Sequence, residues 1–121
     1  MKNALLASLF LLFCKGALFA QTSIELPPNQ SMLLYGKGPG QDATINPYDG
    51  EDCYALIENF GAVPFSVRIQ QQKTIIYSIT IPSKTTKKIR LRQGHALYLD
   101  PASKLVAKAR IQYEAMEVEQ P

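Results

Sequence analysis

Residues 53–100 read CYALIENFGAVPFSVRIQQQKTIIYSITIPSKTTKKIRLRQGHALYLD. Short runs of alternating apolar residues are broken by Asn59-Phe60-Gly61, Gln70–Lys73, Pro82-Ser83-Lys84 and Gln93-Gly94. That rhythm predicts consecutive antiparallel strands joined by tight turns. Cys53 to Asn59 is apolar on both faces, as expected of a central strand. Pro64 cannot donate to a ladder, so the next strand starts just beyond it. Phe65, Val67 and Ile69 then point inward, and Ser66, Arg68 and Gln70 point out.

The alternation continues after the Gln-rich turn. Thr74 to Ile81 is rich in β-branched residues and predicts a strand with Ile75, Tyr77, Ile79 and Ile81 on one face. Thr86 to Arg92 turns Ile89 and Leu91 in, and Lys88, Arg90 and Arg92 out. Ala96 to Leu99 places Leu97 and Leu99 inside and Tyr98 outside. Val106 to Tyr113 forms the last strand, with Ala107, Ala109, Ile111 and Tyr113 in, and Lys108, Arg110 and Gln112 out.

Upstream, Gln21 to Leu26 is a short edge strand stopped by Pro27-Pro28, and Ser31 to Tyr35 is a second short strand. Between them and Cys53 runs GKGPGQDATINPYDGED, residues 36–52. Three glycines in five residues, two prolines and Asp49-Gly50 all mark turns. A short edge strand near Ala43 to Ile45 is expected inside it. Irregular loops this long are uncommon in compact domains and are often functional. About eight short strands and no convincing helix predict an all-β fold. The expected architecture is an antiparallel sandwich, immunoglobulin-like or of a related Greek-key or jelly-roll type.

The chain has 121 residues, one domain's worth. Its start reads as a cleavable secretory leader, with Lys2, an apolar run from Ala4 to Phe13, and a cut after Ala20. The run is shorter than the roughly 20 apolar residues that span a bilayer, so no transmembrane segment is expected. Cys14 offers a lipid-attachment reading, which the bulky Phe13 before it disfavours. The domain is then residues 21–121, with an acidic tail from Glu114 that frays, in a secreted or periplasmic setting of the bacterial kind.

Lys2 and Lys15 fall in the leader, so the formal charge of +3 drops to about +1 for the domain. Global charge therefore gives no case for nucleic acid. The domain keeps one cysteine, Cys53, and cannot form an internal disulfide. Its inward alternation places it in the core, where unpaired cysteines are commonly found.

The clearest local signal is basic. Lys84, Lys87, Lys88, Arg90 and Arg92 crowd nine residues that hold no acid. If the last three strands form a meander, Lys88, Arg90, Arg92, Tyr98, Lys108 and Arg110 share one face. Cations around an aromatic plate could hold a protein, an anionic glycan or a lipid headgroup. The plain alternative is a solvated face whose lysines guard an edge. The 36–52 loop supplies a second set, Lys37, Asp42, Tyr48 and Asp49.

Other chemistries fit less well. The loop acids and Asn46 lack the spacing of an EF-hand calcium loop, and Gly36-Lys37-Gly38 lacks the spacing and helix of a phosphate loop. Cys53 and the single His95 allow a hydrolase dyad in arithmetic only, and one His argues against zinc or blue copper. No cofactor is expected. Tyr35, Tyr48 and Tyr54 around the loop suggest a carbohydrate platform, weakened by the absence of Trp. The expectation is a non-enzymatic binding module for a protein or anionic polymer, with a carbohydrate-binding accessory domain as the alternative.

Overall fold

A computed structural model describes residues 21–116; residues 1–20, with the expected cut after Ala20 and the lipid-attachment reading of Cys14, lie outside it, as do residues 117–121 of the expected acidic tail. The described residues form eight strands. They are β1 (Thr22–Leu26), β2 (Met32–Tyr35), β3 (Cys53–Asn59), β4 (Phe65–Gln71), β5 (Thr74–Ile81), β6 (Thr85–Leu91), β7 (Ala96–Pro101) and β8 (Ala107–Ala115). They build two four-stranded antiparallel sheets of order β1-β8-β3-β6 and β2-β7-β4-β5. No helix among the described residues is long and apolar enough to cross a membrane.

Only β4 and β5 are successive strands paired in one sheet; every other connection crosses between sheets. This is the wrapped order of a jelly roll. In an immunoglobulin-like sandwich the last two strands would share a sheet. Here β7 and β8 lie in opposite sheets, and β8 sits between β1 and β3. The immunoglobulin-like alternative is thereby set aside in favour of the jelly roll.

The alternation read from the sequence accounts for the core. Cys53, Ala55 and Ile57 face Phe65, Val67, Leu97 and Leu99 across the sandwich, with Ile89, Leu91, Ala109 and Ile111 beside them, all buried. Each large side chain buried in this way contributes about 1.5–3 kcal/mol. β3 is central, between β8 and β6, as its two apolar faces require.

β5 departs from its expected pattern. Val67 pairs with Ile79 and Ile69 with Tyr77, but Gln70 pairs with Ile75, so Ile76 is an extra residue. The bulge reverses the alternation beyond it and puts Ile75 beside outward-facing Gln70. Only Ile81 of the four residues expected inside is fully buried, and Ile79 is half-buried. Ile75 and Tyr77 are 58% and 44% exposed, because β5 is the margin of its sheet.

Asn59 shows how the two sheets are joined at one end. It is fully buried at the end of β3. Its Nδ2 donates to the carbonyls of Val63 (2.8 Å) and Ile81 (3.0 Å), and its Oδ1 accepts from the Gly61 N–H (3.0 Å). One amide thus holds the β3–β4 turn and the end of β5. Its polar atoms are satisfied, which removes the penalty of burying them.

Candidate functional site

The loop of residues 36–52 closes over one end of the sandwich, and its shape is set by side chains that bond to nearby backbone. The Asp42 carboxylate accepts from three consecutive N–H groups, Gly36 (3.0 Å), Lys37 (2.8 Å) and Gly38 (3.1 Å). Successive N–H groups of this kind form a nest that favours an anion, and here the chain provides its own. Gly36 and Gly38 hold φ of 132° and 105°, conformations that side chains rarely adopt. A Cβ at Gly36 would also lie 2.6 Å from the Ala96 Cβ.

The next turn runs beside the edge of β2. Ala43 and Thr44 donate their N–H groups to the carbonyls of Leu33 (3.1 Å) and Leu34 (3.0 Å). The short strand expected at Ala43 to Ile45 amounts to these two bonds. Thr44 is buried; its hydroxyl donates to the Leu34 carbonyl (2.7 Å) and lies 2.6 Å from the Tyr113 hydroxyl. Burial pushes the Tyr113 phenol well above its ordinary range, so it remains a neutral hydrogen-bonding group.

Asn46 fixes the following segment. Its Oδ1 accepts from the Tyr48 N–H (2.8 Å), a turn that an Asn two residues earlier commonly makes. Its Nδ2 points to the Cys53 Sγ at 3.4 Å. Tyr35 donates its hydroxyl to Asp49. Burial, then the bond to Asp49, push the Tyr35 phenol up to about 12.

These anchored turns enclose an open pocket of about 530 Å³ lined by Tyr35, Pro39, Asp42, Thr44, Ile45 and Asp49 among others. Ile45 lies at its rim and is 89% exposed, although the residues on either side, Thr44 and Asn46, are buried. A single exposed aliphatic side chain is ordinary on a protein surface; what sets Ile45 apart is its place beside a concave site that has other apolar lining residues. Asp42 and Asp49 give the pocket acidic groups, and Pro39, Ala43 and Ile45 give it apolar ones.

Of the loop residues expected from sequence, Asp42 and Asp49 line the pocket and both are engaged in the bonds above. Lys37 is exposed at the nest, and Tyr48 is half-buried against the core. Asp52 turns away, accepting from the Gln93 N–H at 2.8 Å and pairing with Arg92 at 3.7 Å. Among the described residues no three acids, His or Cys come together. Thr44 and Ile45, which brace and border the pocket, have no functional signal in the sequence, and Asn46 figures there only beside the loop acids as a calcium-loop candidate and in the turn tendency of Asn46-Pro47.

The expected basic face is rearranged by the topology. β6 and β8 lie in one sheet with β3 between them, and β7 lies in the other. The three strands form no meander, and Tyr98 is parted from Lys88, Arg90, Arg92, Lys108 and Arg110. Acids occupy the gaps. Lys88 pairs with Glu114 (3.3 Å) and stands 4.6 Å above the Tyr54 ring. Arg110 pairs with Glu58 (3.3 Å) and stacks 4.0 Å from the Phe60 ring. Arg90 reaches the Met116 sulfur at 3.7 Å, and Lys108 is exposed opposite Glu25 in the register.

Tyr98 belongs to a separate cluster on the outer face of β2-β7-β4-β5. The Arg68 guanidinium lies 4.2 Å from its ring centre and makes two bonds of 2.8 Å to Asp100, whose Oδ1 also accepts from the Ser31 hydroxyl (2.6 Å). The carbohydrate platform is likewise dispersed. Tyr35 is at the pocket, Tyr48 packs on the core, and Tyr54 lies under Lys88.

Cys53 and His95 each have another partner. Cys53 is fully buried with Asn46 on its sulfur, while the His95 Nδ1 accepts from the Arg92 N–H at 3.2 Å. Burial pushes the Cys53 thiol up, away from the thiolate that a nucleophile needs. No family model, curated protein or solved structure matches this chain.

Proposed function

We propose that this protein is a non-enzymatic binding module of the cell envelope or exterior, and that its ligand site is the pocket under residues 36–49. Exposed Ile45 on a loop braced by Asp42, Thr44 and Asn46 is the observation that carries this reading. A pre-formed concave site lined by apolar groups and a few convergent polar ones is the usual form of a recognition pocket. Asp42 and Asp49 oppose an anionic ligand at this site. They suit a protein segment that offers an apolar side chain beside a cation.

The outer face of β1-β8-β3-β6 gives less support to an anionic polymer, because Lys88, Arg92 and Arg110 are each paired with an acid. The two sites separate in one experiment. The purified protein, an Ile45→Asp variant and an Arg90→Glu/Arg92→Glu variant are passed over immobilised envelope proteins and over heparin. The proposal expects retention on a protein that Ile45→Asp abolishes and the double charge reversal leaves unchanged. Salt-sensitive retention on heparin that only the double reversal removes would move the site to the basic strands and overturn it.

A further inference from the structure

We infer that the free edge of β5 is a pairing surface for a second copy of this chain, joined antiparallel about a two-fold axis. A sheet edge presents unpaired backbone N–H and C=O groups, and proteins ordinarily blunt it with charge, shortness, proline or cover. Three of the four edges here are blunted. β6 carries Lys87, Lys88 and Arg90. β2 is covered by the backbone bonds from Ala43 and Thr44. β1 has five residues and runs into Pro27-Pro28.

β5 is different. It is the longest edge strand, eight residues with no charge and no proline, and it leaves Ile75, Ile76 and Tyr77 58%, 49% and 44% exposed. Its one irregularity, the bulge at Ile76, lies near its start and leaves Tyr77 to Ile81 in regular register with β4.

The occupant is specified by what this edge requires. It must be an extended strand, apolar on the side of Tyr77 and Ile79 and small and polar on the side of Ser78 and Thr80. It must also bring no buried charge. A second β5 meets each requirement. A two-fold axis perpendicular to the sheet sets Tyr77, Ile79 and Ile81 beside the same residues of the partner, extending the apolar layer that stops at the half-buried Ile79. Ser78 and Thr80 meet their counterparts on the other face, where hydroxyl pairs across strands are favourable. Lys84, past the end of β5, has its Nζ turned to the Phe60 carbonyl at 3.0 Å and away from the edge. The contact uses the same patch on both copies, so it closes as a dimer and does not propagate.

Sedimentation velocity over a wide dilution series of the purified protein tests this, with Thr80→Lys as the variant. Residue 80 is exposed and stands opposite Ser66 in the register, with their two hydroxyls 3.1 Å apart at the surface. The expected result is a reversible dimer that Thr80→Lys converts to monomer at the same concentration, while the variant keeps the β-sheet circular dichroism of the parent and unfolds cooperatively, with a midpoint that no longer depends on concentration. Should the lysine variant fold poorly, Ser78→Cys treated with a short bismaleimide decides instead. It should cross-link as a dimer, while Thr86→Cys on β6 should not. A monomer at every concentration, a foreign strand captured at β5 by a monomer, or a dimer that cross-links only through residue 86 would each overturn the inference.

Discussion

Arg68 and Asp100 meet across β4 and β7 through two parallel hydrogen bonds of 2.8 Å, under a hydroxyl from Ser31 and over the ring of Tyr98. The pair is partly buried, with side-chain exposures of 20% and 25%. The Arg68 bonds hold the Asp100 carboxyl below the usual carboxylate value of 3.8, against the opposing effect of burial. A folded-state value below the unfolded one means the stabilisation is fully present above that unfolded value. It is lost as pH falls through the lower, folded one. Asp100→Asn should therefore cost about 1.5–3 kcal/mol at neutral pH and little at strongly acidic pH. Denaturant unfolding of parent and variant at several pH values measures it.

Asp42 is the acceptor for three backbone donors in the pocket loop. Asp42→Ala should leave those donors without a protein acceptor while the sandwich stays folded. Amide exchange is expected to quicken at residues 36–44 and to remain slow in β3, β7 and β8. A uniform rise across all strands would show instead that the loop and the sandwich open together.

How much of this was legible in the sequence differs by level. The inward residues of β3, β4, β6, β7 and β8 follow directly from period-two alternation, because burial on one face of a strand leaves that mark. Strand neighbours leave no such mark, since Lys88, Tyr98 and Lys108 alternate in the same way whether or not their strands share a sheet. A single basic face requires a meander of β6, β7 and β8, which the jelly roll does not contain. Period-two alternation sets Ile75 beside Tyr77, and one extra residue, Ile76, reverses it without a mark in the composition. The pocket loop could be located by its glycines and prolines, but the buried partners of Thr44 and Asn46 arrive from β2, β3 and β8 and are visible only in the fold.

Cys53 is expected to resist thiol reagents in the native protein, because it is fully buried and its thiol is pushed up by burial. Its labelling rate should follow the population of unfolded chain as denaturant is raised. Rapid labelling in native buffer, well below the unfolding transition, would contradict its place in the core.

Among the described residues, Gln72 and Lys84 are the two non-glycine residues with positive φ, 55° and 61°. The left-handed conformation costs an ordinary residue about 1–2 kcal/mol. Glycine avoids that cost and loses part of the gain through its freer unfolded state. Gln72→Gly, in the exposed β4–β5 turn, should raise the unfolding midpoint slightly, and Gln72→Val should lower it.

The wrapped strand order also dictates when this chain can fold. β1 pairs with β8 and β2 with β7, so the first strands made must wait for the last. Of the sheet contacts, only the β4–β5 hairpin joins chain neighbours. A nascent chain lacking residues 107–115 has no partner for β1 and exposes one side of β3. Folding dominated by such distant pairings is slow. The polypeptide should therefore remain extended and open to chaperones throughout its synthesis, gaining its structure in one late step.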